Sequence, residues 1–233
     1  MGHRGARRDR LPADHQQARR PRPWLRESRY LSGWFTVVAV VGQSQVYVVL
    51  LLAGLLLSTT DAAGLRAVQL LVYQPPVTFM AALLLLLTPA FARKATDPAA
   101  LDRLRTTALA AMGVLGLVVL AAIPLRHVLL DLLFPSYTAF AALVVPVAIQ
   151  SVLAGLTVPF HARLRGLRRP RALFGVQVLT TTGVVAGAAL GLLVAGVDGL
   201  AWGMTIAGAV SLAAMAVVAE RAPLPRPQEV AVR

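Results

Sequence analysis

Cysteine is absent from the 233 residues, and only ten acidic side chains stand against 23 lysines and arginines. The missing cysteine excludes disulfides, thiolate nucleophiles and thiolate metal ligands, and it leaves the redox compartment unreadable. The four histidines, His3, His15, His127 and His161, are scattered, and no His–carboxylate group has ligand spacing, so no metal site is expected. There is no glycine-rich phosphate loop and no nucleophile–base arrangement, so the expectation is a non-enzyme with no catalytic residues and no cofactor. Charge is scarce as well, at 14% of residues, while 57% are hydrophobic. With a mean hydropathy of +0.69 the chain has too little polar surface to cover a soluble core. What remains is an integral membrane protein.

Uncharged apolar stretches long enough to cross about 30 Å of hydrocarbon as helices recur six times. Their Leu, Val and Ala show no period-2 alternation, so a barrel is not expected, and lipid leaves the backbone no partner except its own helix. The fold class expected is an all-α integral membrane protein, a six-helix transmembrane bundle. Its lobe occupies residues 31–220, with spans near 33–57, 66–91, 106–125, 138–160, 173–195 and 200–219. Residues 1–30 are expected to be a disordered basic arm or linker, and 221–233 a short tail. From "PWLRESRY" onward Trp24, Tyr30 and Trp34 suit an interfacial aromatic belt. The first apolar run is too long for a secretory signal, and Arg7-Arg8 has no apolar segment close behind it.

The net charge of +13 takes its meaning from its distribution. Twenty-one of the 23 basic residues fall in 1–30, 93–105, 161–171 and 220–233, and only Arg66 and Arg126 lie elsewhere. Short basic segments stay in the cytoplasm, so both termini and the two basic bends are expected there. The densest knot, Arg163, Arg165, Arg168, Arg169 and Arg171 in "HARLRGLRRPRALFG", reads as a cytoplasmic basic loop, with anionic lipid head groups as a further possible contact. Membrane lipids are expected partners and nucleic acid is not.

Polar side chains inside hydrocarbon need partners or a wet cavity. Gln43, Gln45 and Tyr47 lie in "GQSQVY" of the first helix. Arg66, Gln69 and Tyr73 recur at i, i+3 and i+7 of the second, and Gln74 precedes Pro75-Pro76. Gln150 and Ser151 lie on the fourth helix with Pro146, and Gln177 on the fifth with three threonines. The nine residues Gln43, Gln45, Tyr47, Arg66, Gln69, Tyr73, Gln74, Gln150 and Gln177 are candidates for a hydrophilic cavity, the alternative for each being an interhelical hydrogen bond. Pro75, Pro76 and Pro146 are helix-break or hinge candidates, because proline removes a backbone donor. Gly183, Gly187 and Gly191 repeat every fourth residue, which favours close packing, and Gly196 and Gly199 predict a tight antiparallel hairpin. No acidic residue falls in the middle of a span, which counts against proton- or sodium-coupled antiport.

"LLFPSYTAFAALVVPVAI", "LRGLRRPRALFGVQV" and "GLAWGM" together resemble the closing four helices of bacterial polysaccharide-biosynthesis membrane proteins. These are the O-antigen-type flippases of the multidrug/oligosaccharidyl-lipid/polysaccharide exporter superfamily. "PWLRESRYLSGW" resembles the basic linker entering the second lobe of that family, and "GLRAVQLLVYQPPVTF" the helix after it, so the likeness runs over about 23–218. The resemblance implies a bacterial cytoplasmic-membrane carrier that moves a lipid-linked oligosaccharide or polysaccharide precursor by alternating access, with Arg66 attracting its diphosphate. It also implies twelve or more helices in two lobes. Six helices therefore imply the C-terminal half, completed by a second six-helix lobe from another chain or a second copy, or an incomplete gene product. The alternatives are a drug or metabolite exporter of the same superfamily, and a non-transporting membrane subunit of a glycan-synthesis complex.

Overall fold

The computed structural model describes residues 21–223. Residues 1–20 and 224–233, with most of the expected arm and tail, lie outside the described residues, as does the side chain of Trp24. The described chain is all α-helical: α1 (Pro21–Leu56), α2 (Thr59–Arg93), α3 (Pro98–Leu120), α4 (Arg126–Leu133), α5 (Pro135–Gly166) and α6 (Pro170–Arg221). All but the eight-residue α4 are long and apolar enough to cross a membrane. This is a multi-pass membrane protein. Large apolar side chains cover its outside, Leu85, Leu132, Leu193 and Val194 each being more than 70% exposed. In water such a surface would aggregate, whereas in lipid it is solvated.

The 52 residues of α6 would run roughly 78 Å if straight, far beyond the hydrocarbon layer. The backbone turns back instead at Ala195 and Gly196, the latter at φ 59 and ψ −137, a conformation only glycine holds without strain. The two arms, α6a (170–194) and α6b (197–221), pack antiparallel. A Cβ on Gly187 would lie 2.6 Å from the carbonyl oxygen of Gly203, and one on Gly191 would overlap that of Gly199. The expected hairpin is present, so five apolar stretches yield six arms.

Helix α5 is the hub. Its Val144, Val147 and Ala148 join Val68 of α2 and Leu200 of α6b in one core cluster. Its Val158 and Ala162 meet Met80 and Phe91 of α2 and Met112 of α3, while Phe160 and Leu164 meet Val38 of α1 and Leu173 of α6a. Small residues permit the approach. A Cβ on Gly155 would sit 2.9 Å from the Met80 methyl, and one on Gly166 2.8 Å from Cβ of Phe91.

Several boundaries differ from the expected spans, because apolar windows mark the lipid-embedded stretch while caps fix the helix ends. Helix α1 begins at Pro21, inside the arm expected to be disordered. Helix α2 starts at Thr59 rather than 66, where the Ser58 hydroxyl caps the Asp61 amide at 3.0 Å. Helix α3 starts at Pro98 rather than 106, capped by Asp97, and ends at Leu120, so the expected 106–125 span loses its last turn to a bend before α4. Helix α5 opens with nine 3₁₀ residues, Pro135–Leu143, and runs through to Gly166.

The proline expectations need correction. Pro75 and Pro76 do not break α2. Without their amides, the carbonyls of Leu71 and Val72 have no α-helical donor, and the chain adapts by widening one turn. Gln69–Tyr73 is π-helical, with the Gln74 amide donating to the Gln69 carbonyl five residues back. Pro146 does not break its helix either. It is buried in the first α-turn of α5, and its carbonyl accepts from the Thr205 hydroxyl of α6b at 2.9 Å.

Candidate functional site: an amide-lined cleft

Seven of the nine cavity candidates line one cleft of about 330 Å³ between α1, α2, α5 and α6b. Gln43 and Gln45 come from α1, Arg66, Gln69, Tyr73 and Gln74 from α2, and Gln150 from α5. The apolar remainder includes Val46, Val49, Leu65, Val77 and Met204. Arg66 lies two turns into α2, roughly 10 Å along the axis from Thr59.

Arg66, Gln69 and Tyr73 share one helical stripe, and the π-turn accounts for the fourth α2 side chain, Gln74. On a regular helix Gln74 would point about 100° away from Tyr73. The wide turn bonds residue 74 to residue 69, and Gln69, Tyr73 and Gln74 all reach the cleft. Among the described residues none of its five glutamine amides has a side-chain hydrogen-bond partner, so these amides do not act as interhelical bonds. Each offers two donors and one acceptor oxygen to whatever enters. Arg66 adds one fixed positive charge, and no carboxylate lines the cleft.

Two candidates are elsewhere. Tyr47 is 71% exposed and lines a groove on the outer face of α1 with Ser32, Phe35, Thr36 and Ser44. It does share a groove with Gln43, as their spacing of four predicts, but that groove faces outward, and Gln43 borders both spaces. Gln177 is a packing residue. Its Nε2 donates to the Thr181 hydroxyl at 3.5 Å, Thr181 donates to the Val41 carbonyl at 3.4 Å, and a Cβ on Gly42 would lie 3.3 Å from that amide. Sequence reasoning missed Met204, which offers only an apolar surface and no polar signal. Ser151 is fully buried and its hydroxyl does not reach the cleft.

The five arginines of the basic knot do not share one loop. Arg163 and Arg165 belong to the last turns of α5, because that helix continues through the basic residues to Gly166. The Arg165 guanidinium lies over the Phe35 ring at 5.8 Å, a cation–π contact that lets the charge sit beside α1. Trp34 meets Phe174 edge-on with centroids 5.3 Å apart, and Tyr30 meets Trp34 at 6.4 Å, an aromatic cluster joining α1 to α6a at this end. Arg168 and Arg169 form the turn, and Arg171 stands in the first turn of α6a. Arg105 of α3 pairs with Glu220 of α6b at 3.2 Å. The described basic residues other than Arg66 and Arg126 thus gather at one end of the bundle. Among the described residues no group of acidic and histidine side chains could hold a metal.

Compared with protein-family models, with curated proteins and with solved structures, the chain finds no match.

Proposed function

We propose that this chain is one lobe of a flippase-type transporter that carries a lipid-linked oligosaccharide or polysaccharide precursor across a bacterial cytoplasmic membrane by alternating access. One observation carries the reading: five glutamine amides, a tyrosine and a single arginine converge in one cleft within an otherwise apolar bundle. Neutral amides suit sugar hydroxyls, which both donate and accept hydrogen bonds. A lone guanidinium suits a phosphate, to which it can donate two parallel hydrogen bonds. The lipid tail of such a substrate stays in the bilayer. Arg66, Gln43 and Gln74 are exposed, so the cleft is open-sided, which supports closure by a second six-helix lobe. The orientation proposed with it puts both chain ends and the basic bends in the cytosol.

The test is export of the glycolipid by an Arg66→Ala variant. The reading expects unchanged membrane insertion and at least a tenfold loss of export, with precursor accumulating on the cytoplasmic face, since removing a partner of a buried or phosphate-bound charge costs about 2 kcal/mol or more. Full export by that variant removes Arg66 from the mechanism, and a deletion strain with no precursor accumulation removes the transport reading.

A further inference from the structure

A second polar recess lies at the basic end of the bundle and owes nothing to the cleft. It has a volume of about 650 Å³, and Tyr30, Arg168, Arg169, Arg171, Arg221 and Pro223 are among its lining residues. Four guanidinium-bearing residues from three positions in the chain, the α5–α6a turn, the start of α6a and the end of α6b, therefore border one concavity. Among the described residues Arg169, Arg171 and Arg221 form no ion pair, and Glu220, the acid closest to them in sequence, is held by Arg105. Arg169 instead donates through Nη2 to the Pro223 carbonyl at 3.0 Å, which links the turn to the chain just beyond α6b.

The backbone of the turn adds a second, independent observation. Helix α5 closes with the Arg169 amide donating to the Leu164 carbonyl and the Arg168 amide to that of Arg165, both at 3.0 Å. This is a Schellman motif, whose residue after the cap takes the left-handed conformation and is usually glycine. Here that residue is Arg168 at φ 54, and it is the one non-glycine with positive φ among the described residues. An arginine costs backbone energy that a glycine would not. Arg168 also lines the recess, beside Arg169, Arg171 and Arg221.

We infer that this recess binds the phosphate of an anionic phospholipid in the adjoining leaflet. Concentrated arginine at the membrane edge beside the apolar Ala172 and Val218 matches a head group whose acyl chains run down beside α6. This site is independent of the glycolipid reading and of which leaflet adjoins it.

The test uses the full purified chain in zwitterionic micelles, with thermal unfolding followed as phosphatidylglycerol, phosphatidylcholine or inorganic phosphate is added. Phosphatidylglycerol is expected to raise the midpoint saturably, and phosphatidylcholine is not. In the R169Q/R171Q/R221Q variant the apparent affinity for phosphatidylglycerol is expected to fall on the order of a hundredfold, while R126Q, at the opposite end, keeps it. Arg168→Gly keeps the test decisive if the triple variant does not fold: this variant is expected to melt higher without lipid yet bind phosphatidylglycerol more weakly. Equal protection by phosphatidylcholine overturns the site, as does wild-type lipid affinity in the triple variant or, where that variant does not fold, in Arg168→Gly. Protection by inorganic phosphate as strong as by phosphatidylglycerol at equal concentration overturns the lipid as its source.

Discussion

The amide cleft and the α6 hairpin use the same membrane in opposite ways. In the hairpin, Gly187 and Gly191 of one arm press against Gly203 and Gly199 of the other, and nothing wider than a hydrogen fits between the backbones. Packing of this kind holds helices together in lipid, where apolar side chains gain little by leaving one hydrocarbon for another. In the cleft, α1 and α2 stand apart, and the gap is lined by amides that no described residue satisfies. A purely structural bundle would have closed that gap with small residues, as the hairpin does. The two glutamines Gln177 and Gln69 show the contrast at single-residue scale: one is spent on a threonine and a neighbouring helix, the other faces open space.

The comparison breaks most visibly at Gly191. Gly191→Leu places a side chain where the Gly199 carbonyl stands, and the arms must separate. The expected cost is about 3 kcal/mol or more, read as a loss of monodisperse protein and a sharply lower unfolding midpoint. Arg66→Ala works the other way. Its midpoint should stay within about 0.5 kcal/mol of wild type while transport falls at least tenfold.

A finer test sets the two glutamines against each other. Gln177→Leu loses an i,i+4 bond to Thr181 within α6a and packing against Gly42, should cost about 0.5 kcal/mol, and should leave transport alone. Gln69→Leu should leave stability equal or slightly raised and reduce transport. Reversed results for the pair would mean that the cleft is structural and the α1–α6a seam functional. An effect of opposite sign is expected at the basic end, where Arg168→Gly should raise stability by about 1 kcal/mol by removing a left-handed arginine.

The parts of this molecule legible in its sequence are those with a strong local signal. Gly196 announced the hairpin because a reversal that tight needs glycine freedom, and the arginines announced one end because charge cannot stay in hydrocarbon. The stripe of Arg66, Gln69 and Tyr73 was legible through its helical period. Other features carried no such signal. In lipid both the buried and the exposed faces of a helix are apolar, so the side on which Tyr47 lies could not be read from its neighbours. Gln74 joins the cleft only through the π-turn, an adjustment that follows from Pro75-Pro76 but whose form a sequence pattern does not specify. The 3₁₀ opening of α5 and the short α4 follow from tertiary packing around Leu130 and Ala141, both buried, rather than from local propensity.

The absence of native cysteine makes the central claim directly measurable. Single Gln69→Cys and Gln177→Cys variants in intact membranes can be exposed to a membrane-impermeant maleimide. A water-filled cleft within the apolar bundle predicts rapid labelling at position 69 and protection at position 177. Protection at 69 equal to that at 177 would mean that lipid or protein fills the space, and the account of a hydrophilic substrate path would be contradicted.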